Sequence, residues 1–246
     1  MQIIISPAKK MRFDYETQYP LTVPYFIENT KLLHQKIISL SFDELKEVLA
    51  CNDQIVAENR ERYQQMDFDS KGSPALLSYD GIQYKYMAPQ IFENDYYEYV
   101  SQYLRILSGF YGVLKPFDAI YPYRLEMQAK FDDFSVYQFW GDQIYHYLMQ
   151  EDQDILNLAS KEYSKTIEKY LSKEQKMVSC VFGSLQDGRV KEKGVYVKMA
   201  RGEMVRFLAS EQIHDFEGVK RFKGLGFKYN DQLSTDKKFV FIREES

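Results

Sequence analysis

Three short apolar runs punctuate the chain, and each closes on a serine. Residues 2–6 carry Ile3, Ile4 and Ile5, residues 105–108 carry Ile106 and Leu107, and residues 154–160 carry Ile155, Leu156 and Leu158. Apolar runs without alternation predict strands buried on both faces, as in a parallel or mixed sheet. A polar or charged cluster follows each run: Pro7-Ala8-Lys9, then Gly109-Phe110-Tyr111, then Lys161-Glu162-Tyr163. If the three are neighbouring parallel strands, Ser6, Ser108 and Ser160 line one carboxyl edge, where open α/β sheets bind ligands.

Between the runs the period changes to that of helices. Ile27, Leu32, Leu33, Ile37, Ile38 and Leu40 recur at helical spacing after Val23-Pro24. Ser41 followed by Glu44 predicts a capping box at the head of a helix over residues 43–50. A further helix is expected over residues 53–66 and carries Arg60 and Arg62. Together they form a helical hairpin, with Asn52 suited to a left-handed turn conformation. Helices are also predicted over residues 96–105, capped by Asn94, and over 135–149, 162–171 and 200–210. The last of these would hold Arg201 in its first turn, where a cation opposes the macrodipole and calls for an anion. Short strands are expected over residues 75–79 and 82–84 around Asp80-Gly81, over 177–182 and 195–198, and as a closing hairpin over 227–229 and 239–243. No internal repeat or linker interrupts this order. The expected fold is mixed α/β (α+β), a single domain over residues 1–246 with a central mixed sheet surrounded by helices.

Residues 105–127, RILSGFYGVLKPFDAIYPYRLEM, stand at the centre of the pattern. A buried run breaks there into a loop of Gly, Pro and aromatics that presents Tyr111, Arg124 and Glu126. Rigid loops after buried strands are where α/β proteins place ligand sites.

Composition changes this picture in two respects. The chain has 246 residues and a net charge of −4, which gives no global case for a polyanion partner. The charge is uneven, however: residues 189–228 hold ten Lys/Arg against five Asp/Glu, a local +5, while residues 1–188 sum to about −8. A basic third on an acidic body is a possible footprint for nucleic acid or a nucleotide. The two cysteines, Cys51 and Cys180, lie far apart, and the three histidines show no ligand-like spacing. No metal site, disulfide framework or cofactor is therefore expected. No run approaches membrane-spanning length and the start lacks a signal-peptide pattern, so a cytoplasmic protein is expected.

Several long motifs together resemble one family. They are ISPAK at residues 5–9, LSGFYGVLKPFD at 107–118, PYRLEM at 122–127, QFWG at 138–141, NLASKEY at 157–163 and ARG-M-RF at 200–207. In this order they closely resemble the YaaA family of bacterial peroxide-stress resistance proteins, over nearly the whole chain. The resemblance implies a fold peculiar to that family and a role in limiting damage and free intracellular iron under hydrogen peroxide. It also implies DNA binding through a basic cleft and a helix-hairpin-helix. In that hairpin Asn59 and Arg62 match, while a glycine of a better-known member is Ala57 here.

The expected DNA- or phosphate-binding set is Lys9, Arg62, Ser108, Tyr111, Arg124, Ser160, Lys198, Arg201 and Arg206. Lys9, Tyr111, Arg124 and Arg201 are expected to face one cleft. The alternative is an enzyme acting on a nucleotide or nucleic acid in a strand-end pocket with Lys9, Tyr111, Arg124 and Glu126, in which Glu126 or Glu162 acts as base.

Overall fold

Apolar runs with no polar face need cover on both sides, and the fold supplies it by placing them in the middle of one sheet. The computed structural model describes residues 1–13, 17–151 and 154–244. Strand β1 (Gln2–Ile5) is buried along its whole length. It runs parallel to β2 (Leu104–Ser108) on one side, with Ile5 opposite Ile106. A later strand (Asp154–Leu158) lies parallel on the other side, with Ile5 opposite Leu158. The three serine-terminated runs are thus adjacent parallel strands.

The rest of the sheet grows outward from this trio. Strand β3 (Gly112–Leu114) turns back antiparallel on β2 and closes that edge. With Asp154–Leu158 as β4, the other side continues through β5 (Lys176–Gln186), its hairpin partner β6 (Arg189–Lys191), β7 (Phe227–Tyr229) and β8 (Lys238–Arg243). The order is β7-β8-β5-β4-β1-β2-β3 with β6 added on β5, eight strands in all. Strands β4, β5 and β8 are parallel, while β7 and β6 are antiparallel additions. The result is a single mixed α/β domain whose helices surround a central mixed sheet, as expected.

The first three helices are α1 (Ile27–Ile38), α2 (Phe42–Leu49) and α3 (Asp53–Gln65). Ser41 and Glu44 form the expected capping box at α2. At the turn into α3 the left-handed residue is Ala50, at φ 45°, not Asn52. Asn52 is instead extended and caps α3, its Oδ1 accepting from the Ile55 amide at 3.0 Å.

Two stretches read as strands are helices. Residues 75–78 form a single turn, and Asp80-Gly81 leads into α4 (Ile82–Met87) rather than a hairpin turn. Helix α4 buries Gln83, Tyr84 and Met87, and that tertiary burial outweighs the strand propensity of the segment. Then come α5 (Asn94–Tyr103), α6 (Gln143–Glu151) and α7 (Lys161–Glu168). The helix expected over residues 135–149 is two, broken at Gly141, whose φ of 49° no helix tolerates.

Residues 195–198 also read as a strand but open α8 (Gly194–Ser210), where Val197, Ala200, Met204, Val205 and Leu208 bury one helical face. Arg201 therefore sits seven residues past Gly194, in the helix interior, and the macrodipole argument does not apply to it.

The loop after β3 is held by one buried carboxylate. Asp118 is 3% exposed and accepts from Thr22 Oγ1 at 2.7 Å and from the Lys115 amide at 2.8 Å. Burial pushes its pKa up from 3.8 to about 6, against the pull of those two hydrogen bonds. A carboxyl whose folded pKa lies above its unfolded value favours the fold when protonated. Its contribution is complete below about pH 4 and is lost as pH rises through 6, a change of about 3 kcal/mol. Asp118→Asn should remove this component, so the difference in urea midpoint between parent and variant should vary between pH 4 and 6 and level off above. A constant difference across that range rejects the assignment.

Candidate functional site

The carboxyl ends of the central strands meet in one pocket of about 470 Å³. Strand β1 delivers Ser6, Pro7, Ala8 and Lys9 to it, and β4 delivers Ser160. The two serines are clipped together. Ser6 Oγ accepts from the Ser160 amide at 2.8 Å and donates to Ser160 Oγ at 3.3 Å. Tyr84 of α4 donates to the Ser6 carbonyl at 3.0 Å, which ties the opposite wall to the strand end.

The third wall is the loop carrying Tyr123, Arg124, Leu125 and Glu126. It lies hard against Gly109: a Cβ there would come within 2.5 Å of the Leu125 carbonyl oxygen, so only glycine permits the approach. Tyr63 of α3 donates to the Arg124 carbonyl at 2.9 Å, and the Tyr123 hydroxyl bonds Ser108 Oγ at 2.6 Å and Tyr79 at 2.8 Å. Burial pushes the Tyr123 phenol up to about 12, so it stays protonated. Helix α8 completes the pocket with Lys198 and Arg201.

The charges are concentrated. Lys9, Lys10, Arg124, Lys198 and Arg201 line the pocket with Asp80, Glu126 and Glu162, five cations against three carboxylates. Glu126 Oε1 takes Lys9 Nζ at 2.7 Å and Arg124 Nη2 at 3.2 Å. The Arg124 and Glu126 side chains are only 14% and 16% exposed, whereas Lys9 is 61% exposed. Burial lowers the Arg201 pKa while leaving it a cation, and the Nε of both Arg124 and Arg201 is buried without a hydrogen-bond partner among the described residues. Glu162 has its pKa raised, first by burial, against the pull of the Gln128 amide that donates to it at 3.3 Å. The turn between α2 and α3 lies close enough for the Cys51 thiol to feel Arg124, Glu126 and Lys9; burial nonetheless raises its pKa.

Of the expected set, Lys9, Arg124, Ser160, Lys198 and Arg201 converge here, and four other residues lie elsewhere. Tyr111 is fully buried, its hydroxyl accepting from the Tyr121 amide at 3.0 Å, and it packs edge-on to Phe110 and Tyr123. It belongs to the core and does not face the cleft. Ser108 is likewise buried, accepting from the Phe110 and Tyr111 amides at 3.1 and 2.9 Å. Arg62 pairs with Glu58 one turn back on α3, and half-buried Arg206 lies beyond the pocket on α8.

Reading from sequence did not find Gln83, Tyr84 or Asp80, because their segment looked like a hairpin. Among the described residues no group of three or more His, Cys, Asp or Glu is placed to hold a metal ion, and no helix is long and apolar enough to cross a membrane.

The molecule is thus a mixed α/β protein with a cation-rich pocket at the carboxyl ends of its parallel strands. Its family is equally clear: the model described as peroxide stress protein YaaA matches residues 1–233, and the chain belongs to that family. Relatives named UPF0246 protein extend along its full length. One from Desulfitobacterium hafniense is 59% identical over 246 residues, spanning 99% of this chain and 98% of the relative. Others from Lachnoclostridium phytofermentans and Agathobacter rectalis are 50% and 47% identical, each aligned over at least 98% of both chains.

Proposed function

We propose that this protein serves the peroxide-stress response of the cytoplasm as a DNA-binding protein, with the strand-end pocket as its phosphate-reading centre. The observation that carries the reading is the convergence of Lys9, Arg124, Lys198 and Arg201 on one pocket, though they come from three separate parts of the chain. Five cations beside three carboxylates leave the pocket with surplus positive charge. Such a surplus is costly in self-repulsion and is relieved by an anion. The guanidinium of Arg124, set in a loop pinned by Tyr63, is preorganised for bidentate contact with a phosphate. The helical hairpin of α2 and α3 flanks the same loop and offers a second contact to a backbone. Membership of the peroxide-stress family supports the cellular half of the proposal, a role under peroxide stress; the limiting of free iron belongs to the proposal itself.

The test is a duplex-binding titration from about 50 to 200 mM salt. Each neutralised phosphate contributes a log-log slope of about −0.9, so three or more contacts should produce a fall steeper than −2.5. No binding at low salt, or a flat response, removes the proposal.

A second reading has its own support. Glu162 combines a raised pKa with a position in the pocket beside Lys9 and Glu126, the arrangement a general base needs for work on a nucleotide or nucleic acid. Under that reading Glu162→Gln loses turnover of a nucleotide while keeping its binding, and equal turnover by parent and variant dismisses it.

A further inference from the structure

The strand-end pocket offers more than a seat for a phosphate. At about 470 Å³ it has the size of a small-molecule site, and two of its walls differ in character. On one wall Lys9 and Arg124 meet Glu126, where the end of β1 faces the loop at residues 123–126. The wall from α4 and α8 brings Ile82, Gln83, Tyr84 and Arg201.

Gln83 is the residue that no role described so far uses. It is 7% exposed, and the Nε2 of its carboxamide has no hydrogen-bond partner among the described residues. Its backbone is fixed where α4 crosses α8, since a Cβ on Gly202 would stand 2.0 Å from the Gln83 carbonyl oxygen. A buried amide costs free energy until something bonds to it. The Nε of Arg201 on the same wall and the Nε of Arg124 on the other are orphaned in the same way. Three buried N–H groups on two walls of one pocket call for a ligand with acceptors at both ends.

A phosphate supplies the acceptors at the Arg124 end. The part of the ligand that reaches Gln83 and Arg201 also meets apolar surface, because Pro7, Ala8, Ile82 and Leu125 line the same space. A sugar carries hydroxyls on every side and gains little from such walls. A nucleobase has apolar faces and a polar edge, and carboxamide and guanidinium side chains are the groups that pair with base edges. Within a duplex those faces are stacked on their neighbours, so a nucleotide enters the pocket only when unstacked.

We propose that the pocket holds one unstacked nucleotide, its phosphate on Lys9 and Arg124 and its base edge on Gln83 and Arg201. The inference rests on the phosphate-reading role given to this pocket above and adds the base to it.

Two comparisons read the base. The first titrates the common nucleoside monophosphates against ribose 5-phosphate, which has the phosphate without a base. The second titrates a duplex of about 15 base pairs with one bulged nucleotide against the fully paired duplex, since an unpaired nucleotide is cheaper to unstack. A preference of about ten-fold or more in the first assigns the pocket to a free nucleotide, and in the second to a nucleotide turned out of a strand. Gln83→Met keeps the length of the side chain and removes its polar atoms. It should abolish whichever preference the parent shows and leave the melting temperature at or above the parent's, because the amide nitrogen has no partner to lose. Arg124→Ala should weaken every phosphate-bearing probe without changing the preference.

The absence of both preferences in the parent overturns the inference, and so does a parent-like preference in Gln83→Met. If the paired duplex still binds with a steep salt dependence in either case, the phosphate-reading role stands while the base site fails. Loss of all duplex and nucleotide binding in the parent removes both.

Discussion

Arg124→Ala is expected to weaken binding of duplex DNA, or of a nucleotide, by about a hundred-fold while leaving the protein folded. A charge-assisted hydrogen bond to phosphate is worth about 1.5–3 kcal/mol, and a bidentate fork makes two. The fold should lose much less. Among the described residues Arg124 makes one ion pair, to Glu126 at 3.2 Å, and Glu126 keeps Lys9 at 2.7 Å when the guanidinium is gone. The anchor that Tyr63 gives the loop is to the Arg124 backbone carbonyl, which truncating the side chain to alanine leaves in place. A stability cost of about 1 kcal/mol is therefore the expectation. The measurement pairs a binding titration with a urea melt. In cells, the proposed function expects the same variant to fail to restore peroxide resistance to a strain lacking the protein. Parent-like affinity in the variant, or simple unfolding, would make Arg124 a structural residue. Arg124→Lys separates the two cases, because it keeps the charge and the packing stem but not the fork.

The second large effect lies in the packing that holds two walls of the pocket together. Helices α4 and α8 cross at Gly202, where an added Cβ would stand 2.0 Å from the Gln83 carbonyl oxygen and 2.8 Å from the Met87 amide nitrogen. Both are backbone atoms, so no side-chain rotation relieves the clash and the helices must separate. Overpacking of this kind costs about 3 kcal/mol. For a chain of this size that lowers the melting temperature by roughly 10 °C. Gly202→Ala should also reduce phosphate binding in the protein that remains folded, since α4 carries Gln83 and Tyr84 and α8 carries Lys198 and Arg201. A melting temperature within a degree or two of the parent would show that the crossing has slack.

The same crossing shows how much of the site was legible beforehand. Lys9, Arg124, Ser160, Lys198 and Arg201 were each marked by type and by position after an apolar run or within a long motif. Their meeting in one pocket is a matter of strand order, because β1, β2 and β4 are neighbours and parallel. Tyr111 and Ser108 carried the same marks and went to the core. A tyrosine between two glycines reads identically whether its ring faces a groove or packs on Phe110 and Tyr123.

Local chemistry by itself determined the strands at residues 2–5, 104–108 and 154–158, the capping box at Ser41 and the motifs that define the family. In each, the interactions that decide the structure lie within a few residues or within an unbroken apolar run. Tertiary structure decided the rest. Residues 82–84 and 195–198 have strand-like composition and lie in helices, whose apolar positions are buried where the two helices cross at Gly202. That choice moved Arg201 from a helix end into a pocket wall and placed Lys193 at the exposed start of α8. The cost of burying charge depends on what lies opposite, and what lies opposite is set by contacts between residues far apart in the chain.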